Sequence, residues 1–338
     1  MDASTVRARD AAASFAIRAV PPYHLEATVR VLQRRPSNRI DLWEAGRYLR
    51  VLSTAEGLRL IAVENRGTIE APDVHCLVFG GPVSSSTQEQ IGTIVQRIVG
   101  PTIDLAPFYA IAEQDPRLHA ATMALRGLKP PRFATIFETI ANVIPFQQVS
   151  IAAGVAVVTR LVEQFGRRLN LGTHTFVAFP LPDQIAMAEV EDLRCLGLSW
   201  AKARTLHRVA VQVRSGALSE ERLEALPSPE AMTALTALPG IGPWSAGLIL
   251  LRGLRRMEVF PEGDVGSAKN LGRLLGMEGP ARVDDIRPVV ARMGAMKGHL
   301  YFYALGWRLM HEGLISPVSP PVSWSVPHQH GRPGDHGD

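Results

Sequence analysis

Residues 238–246 read Leu-Pro-Gly-Ile-Gly-Pro-Trp-Ser-Ala and lie between two segments of helical periodicity. Few features constrain a chain more, because two helices must meet here across a turn of a few residues. Gly240 and Gly242 can take φ > 0 and leave room for a close approach. Ile241 between them can point inward and pin the turn. Pro243 suits the first turn of the following helix, where its missing N–H costs nothing. The free N–H groups of such a turn, at a helix N-terminus, form an anion site. A DNA phosphate is a natural occupant, since backbone amides read phosphate without reading sequence. Gly-Ile-Gly alone also fits an ordinary tight helix–helix turn. The flanking Leu-Pro and Pro-Trp-Ser-Ala, with an amphipathic helix on each side, favour the phosphate-binding hairpin.

Beyond the second hairpin helix runs Val-Phe-Pro-Glu-Gly-Asp-Val-Gly, residues 259–266, in which Asp264 stands 22 positions after Gly242. That spacing holds one helix and a return loop. Asp264 then precedes a helix starting near Val265. It is a good N-cap, and a helix N-terminus also keeps a carboxylate charged. Cleavage of a base from deoxyribose passes through an oxocarbenium-like state. A fixed anion stabilises that state and can orient water. One aspartate can cap and catalyse. Glu262 is the rival carboxylate and is expected at the surface.

The 338 residues are 46% hydrophobic and 20% charged, so a packed core is expected. The formal net charge of +4 permits a nucleic-acid partner without demanding one. No apolar run reaches the roughly 20 residues of a membrane helix, and the polar start of the chain argues against a secretory signal. Cys76 and Cys195 are too few for a four-cysteine zinc or iron–sulfur site. They read as buried small apolar residues in a reducing compartment.

Texture divides the chain. Strand-like runs at 47–53, 58–65 and 73–79 are separated by Glu56-Gly57 and Arg66-Gly67, with a possible helix over 23–33. Ser86 and Glu89 have capping-box spacing before Ile91, Ile94, Val95 and Ile98, and Gly100-Pro101 stops the helix. From there to Gly313 the pattern predicts helix after helix, including 133–144, 146–165, 183–190, 199–215 and 228–237. Residues 316–338 carry five prolines and read as a disordered tail, with His328, His330 and His336 solvated rather than metal-bound. The expected fold class is α+β. An antiparallel sheet with helices, TBP-like, fills 1–112. An all-α core fills 113–315, with the hairpin at 238–246 and the catalytic loop at 259–266.

The hairpin and the Gly/Pro-rich loop ending in Asp264 resemble the helix-hairpin-helix, Gly/Pro-Asp superfamily of DNA glycosylases, nearest its bacterial 3-methyladenine DNA glycosylase II (AlkA) group. Phe146-Gln147-Gln148-Val149-Ser150, followed by Ala152-Ala153, resembles the helix that lines the base pocket and wedges DNA. Phe179-Pro180, the run from Asp192 to Ser199 and Lys202-Ala203 resemble the segment leading into the hairpin. Pro21-Pro22-Tyr23 and the N-terminal sheet resemble that group's extra domain. The likeness covers roughly residues 14–312.

The resemblance implies a helical catalytic core behind a small α/β domain, a flipped-out base, and Asp264 as the catalytic carboxylate. Bifunctional relatives carry a nucleophilic lysine at the position of Trp244. Tryptophan there implies hydrolysis by water, and Lys269 reads as a surface lysine. No cofactor or metal is expected, apart from a monovalent cation that the family hairpin often holds. Leu248 stands where the group has an aromatic residue, and Gln148 where it has a leucine wedge.

Leu238, Gly240, Ile241, Gly242 and Trp244 are therefore expected at the phosphates. Gln147, Gln148, Trp244, Leu248, Tyr301 and Trp307 are expected at the base pocket and wedge, with Tyr303 a further aromatic candidate. Tyr301 and Trp307 also fit a core stripe, and Gln147 a buried helix end. The reading is a monomeric, monofunctional hydrolase of damaged, alkylated purines in double-stranded DNA. It would work without a membrane, in the cytoplasm and at the nucleoid. The alternative is a non-catalytic DNA-damage-binding protein on the same scaffold.

Overall fold

The computed structural model describes residues 6–261 and 263–318. Five strands, β1 (Ala13–Ile17), β2 (Leu42–Glu44), β3 (Arg47–Thr54), β4 (Gly57–Asn65) and β5 (Val74–Phe79), form one antiparallel sheet in the order β1-β5-β4-β3-β2. The three longest lie within one residue of their predicted bounds, because alternating apolar residues serve two buried faces. On one face Tyr48, Ile61, Val63, Cys76 and Val78 pack with helices Leu25–Gln33 and Ser85–Val99. On the other, Leu49, Val51, Leu60, Ala62 and Leu77 form a separate cluster.

The second face holds an element the sequence pattern did not predict. Strands β6 (Arg168–Leu171) and β7 (His174–Val177) form a two-stranded ribbon inside the expected all-helical region. Leu169, Leu171 and Phe176 pack onto the sheet, and Val51 and Ala178 form an isolated parallel bridge. Four-residue strands carry too little periodicity to be read alone, and the ribbon earns its place by covering an apolar sheet face.

Two helix starts differ from expectation. Ser84, not Ser86, caps the helix Ser85–Val99, its hydroxyl accepting from the Thr87 amide at 3.2 Å. The helix predicted over 146–165 begins at Ile151, capped by Ser150, after a short 3-10 turn over Ile144–Phe146. Gln148 has φ of 54°, which no helix admits.

The sheet and the helices share their interiors. Helix Leu25–Gln33 gives Val29 and Leu32 to the sheet side and Ala27 and Val31 to the helical core. Arg50 on β3 bonds Asp41 at 2.7 Å and Glu138 at 2.5 Å, the latter on helix Ile136–Val143. All three are buried, and burial raises the Glu138 pKa against the pull of Arg50. Cys76 is buried in the sheet, whereas Cys195 is exposed, contrary to expectation, on the last turn of a six-residue helix. The segment expected to start the tail is anchored: Val318 N donates to the Ala124 carbonyl at 3.0 Å. Residues 319–338, with the three tail histidines, lie outside the described residues, as does Glu262. Among the described residues no helix is long and apolar enough to cross a membrane.

Candidate active site

Helix Ser228–Thr236 leads into the turn, and helix Pro243–Gly253 leaves it. The two glycines do different work. Gly240 has φ of 91°, and a Cβ there would fall 2.1 Å from Thr205 Oγ1. Gly242 has φ of −90° and ψ of 177°, which any residue adopts, so the positive φ expected of it is absent. A Cβ on Gly242 would meet nothing within 4 Å, so its surface is open. Ile241 is buried as the turn requires, and its amide donates to the Leu238 carbonyl at 3.0 Å. Gly242 caps the second helix without a side chain, and Pro243 at N1 has no N–H. The amides of Trp244 and Ser245, in the first turn, have no intrahelical acceptor. Gly242, beside them, is exposed.

The carbonyls that a cation would approach already accept bonds. Leu238 accepts from Ile241, Pro239 from Thr205 Oγ1 at 3.2 Å, Gly240 from Gln147, and Gly242 from Ala246. No group of three or more His, Cys, Asp or Glu residues among those described is placed to hold a metal.

Asp264 is the N-cap of helix Val265–Leu274, its Oδ1 accepting from Ser267 N at 2.9 Å. Gly263, with φ of 72°, makes the turn that delivers it. The loop packs on the second hairpin helix at Gly247, where a Cβ would stand in ordinary contact, 3.4 Å from Pro261 Cα. Asp264 is half-buried and lines a cavity of about 1020 Å³, together with Gly240, Gly242 and Trp244.

That cavity gathers most of the residues singled out in the sequence. Gln147, Gln148, Leu238, Ile241, Leu248 and Tyr301 also line it. Gln147 donates its amide Nε2 to Gly240 O at 2.8 Å and to Ser245 Oγ at 2.9 Å. Gln148 is exposed at the left-handed position, next to exposed Val149 and Ile151. Trp307 is not among the lining residues; its ring packs on His311 at 4.7 Å. On helix Lys297–His311 the cavity side is Tyr301, Leu305 and Arg308, four and three residues apart, and Trp307 falls off that stripe. Tyr303 is core, hydrogen-bonded to Tyr109 at 3.1 Å. Lys269 is exposed.

Three charged lining residues, Lys202, Arg34 and Arg252, were given no site role by sequence reasoning. Lys202 donates Nζ to the Gln147 carbonyl at 2.6 Å, and burial lowers its pKa. Arg34, from the N-terminal part, stacks on Phe146 at 5.4 Å and donates to the Tyr301 hydroxyl. Arg252 lies over Phe133 at 4.7 Å. Neither arginine belongs to a local motif, and only the fold brings them here.

A family model described as HhH-GPD superfamily base excision DNA repair protein matches residues 141–287. The chain is 31% identical over 223 residues to a DNA-3-methyladenine glycosylase of Saccharomyces cerevisiae, covering 63% of this chain and 73% of that protein. It is 27% identical over 230 residues to the DNA-3-methyladenine glycosylase of Bacillus subtilis, covering 68% of this chain and 75% of that one. The fold is shared with a 3-methyladenine DNA-glycosylase from Archaeoglobus fulgidus at a TM-score of 0.69 and 24% identity, over 87% of this chain and 97% of the other. The chain belongs to the HhH-GPD superfamily of base excision DNA repair proteins, among its N-glycosyl hydrolases similar to DNA-3-methyladenine glycosylase.

Proposed function

We propose that the protein is a monofunctional DNA glycosylase that hydrolyses the N-glycosidic bond of alkylated purines in duplex DNA, acting as a monomer. The observation that carries this reading is the shared cavity: Asp264 and the hairpin residues Gly240, Gly242 and Trp244 line one space. The amides from Gly240 to Trp244 grip a phosphate, and the lesion turns out of the stack into the cavity. Flipping is least costly for a damaged base, so selection begins there. Trp244 and Tyr301 offer ring surface for stacking.

As the C1′–N bond breaks, its electron pair leaves with the base and positive charge grows on the sugar. Asp264 stabilises that charge and orients water. The alkylated base, cationic while attached, leaves neutral; the water oxygen bonds to C1′, and the water proton passes to the Asp264 carboxylate or to solvent. Trp244 offers no amine. Lys202, whose ammonium is held by the Gln147 carbonyl, serves the loop rather than the sugar. The N-terminal region, its sheet TBP-like in our reading, contributes Arg34, just after helix Leu25–Gln33, to the cavity wall.

Chromatography of bases released from methylated duplex DNA tests the proposal. The expected result is free methylated purine with an intact abasic strand and no borohydride-trapped protein–DNA adduct. Binding without release would favour the non-catalytic alternative, and trapping would overturn the monofunctional mechanism.

A further inference from the structure

Helix Trp200–Arg214 starts at the edge of the cavity and runs past the hairpin. Its N-cap Ser199, with Ala201 and Lys202 in its first turn, lines the cavity. One turn on, Thr205 Oγ1 donates to the Pro239 carbonyl at 3.2 Å, so the hairpin rests on this helix. Trp200, Arg204 and Arg208 recur at four-residue spacing and form an exposed stripe on its solvent face. Trp200 keeps 42% of its surface in solvent. The Arg194 guanidinium, from the last turn of helix Val190–Cys195, lies over the Trp200 ring at 5.3 Å. The side chains of Arg204 and Arg208 have no hydrogen bond or ion pair among the described residues. Arg214, at the end of the same helix, pairs instead with Asp183 at 3.0 Å. The nearby carboxylates Glu191 and Asp192 stand in the first turn of helix Val190–Cys195, and neither pairs with an arginine of the stripe.

We propose that Arg194, Trp200, Arg204 and Arg208 form a second DNA-binding surface, which carries the hold of the hairpin onto undamaged duplex flanking the lesion. Guanidinium groups without carboxylate partners, in register on one helix face, attract a polyanion. Eight residues of helix span about 12 Å, the axial length of about three phosphates of one strand. The partner is the DNA backbone, held through charge and not through base edges. Trp200 holds the Arg194 guanidinium over its ring by cation–π attraction, so less side-chain freedom is lost when a phosphate arrives. The cavity acts on one nucleotide. The stripe acts on its neighbours, in damaged and undamaged DNA alike, and serves the search for a lesion rather than its excision. This inference rests on the DNA-binding part of the glycosylase reading.

The test measures binding of the full chain to an undamaged duplex by fluorescence anisotropy across a salt series. The wild type is compared with the double variants Arg204→Gln/Arg208→Gln and Arg204→Lys/Arg208→Lys. Each phosphate contact contributes about 0.9 to the slope of log K against log salt. The glutamine pair should lower that slope by about two and weaken binding roughly fivefold or more at about 0.1 M salt. The lysine pair keeps the charge and should keep the slope. Single-turnover base release at saturating enzyme, from a duplex carrying one methylated purine, should stay within about twofold of wild type, so that the loss falls in binding. Trimming that duplex on one side of the lesion should erase the difference in affinity between wild type and glutamine pair, and trimming it on the other should not. An unchanged slope, or a lysine pair as impaired as the glutamine pair, overturns the inference. So does a difference that survives trimming on either side, which would put the arginines at the lesion itself. A wild type that binds duplex, with the variants shifting the slope as described, but releases no methylated base overturns the glycosylase reading and supports the second surface. A wild type that binds no duplex overturns both.

Discussion

The side-chain amide of Gln147 and the backbone carbonyl of Gly240 are 2.8 Å apart, and the same nitrogen reaches Ser245 Oγ at 2.9 Å. The segment carrying Gln148 is thereby fastened to the hairpin turn. Lys202 holds the other side of Gln147 through its carbonyl. Gln147→Leu should cut base release roughly tenfold, the loss of about 1.4 kcal/mol of positioning, with little change in melting temperature. Single-turnover release and thermal melting check this. Unchanged release would mean the bond is incidental.

Asp264→Asn separates capping from catalysis. Asparagine caps a helix about as well as aspartate, so the Ser267 N bond and the stability should survive. Base release should fall by at least ~10²-fold, because a neutral amide cannot balance the charge on the sugar. DNA binding, measured by fluorescence anisotropy, should stay within a fewfold. Retained excision would remove Asp264 from the mechanism.

The two hairpin glycines should fail differently. Gly240→Ala forces a Cβ onto Thr205 at a φ of 91°, for a loss of about 1–3 kcal/mol in denaturant titration. Gly242→Ala meets open space and should leave stability nearly unchanged. It should still weaken DNA binding roughly fivefold or more, as one amide–phosphate contact is lost. Equal stability losses would contradict the geometry.

Arg50 ties the sheet to the helical core. Arg50→Met leaves Asp41 and Glu138 buried without their cation, a loss of about 3–5 kcal/mol. Replacing all three by apolar residues of similar volume should recover most of it. Chemical denaturation of the two variants measures both effects.

Acid should destabilise the protein through His299. The ring is buried, stacked on Phe108 at 4.6 Å, and burial lowers its pKa from 6.5 to about 4. Between those values the unfolded chain binds the proton and the folded chain does not, so stability falls as pH drops through the window. The loss is roughly 3 kcal/mol by pH 4. His299→Phe should flatten that part of the curve of unfolding free energy against pH, and an unchanged slope would refute the assignment.

The local geometry of the candidate site was legible in the chain itself. Gly-Ile-Gly followed by Pro fixes a turn and a helix start within a few residues, and Asp264 before Val265 fixes a cap. Backbone sterics and first-turn amides act over such short distances, so the sequence alone determined the hairpin and the capped helix behind it. The long strands were legible for the same reason, since alternation is local. What depended on distant partners was not. The ribbon at β6 and β7 exists to cover the sheet, Trp307 turns away because Tyr301, Leu305 and Arg308 share the facing stripe, and Gly242 takes ordinary angles because only Gly240 presses against Thr205. Tertiary structure alone decided that Arg34, 218 positions before Arg252 in the chain, would share its wall. Burial and electrostatic contact are properties of neighbours in space, and no window of residues contains them.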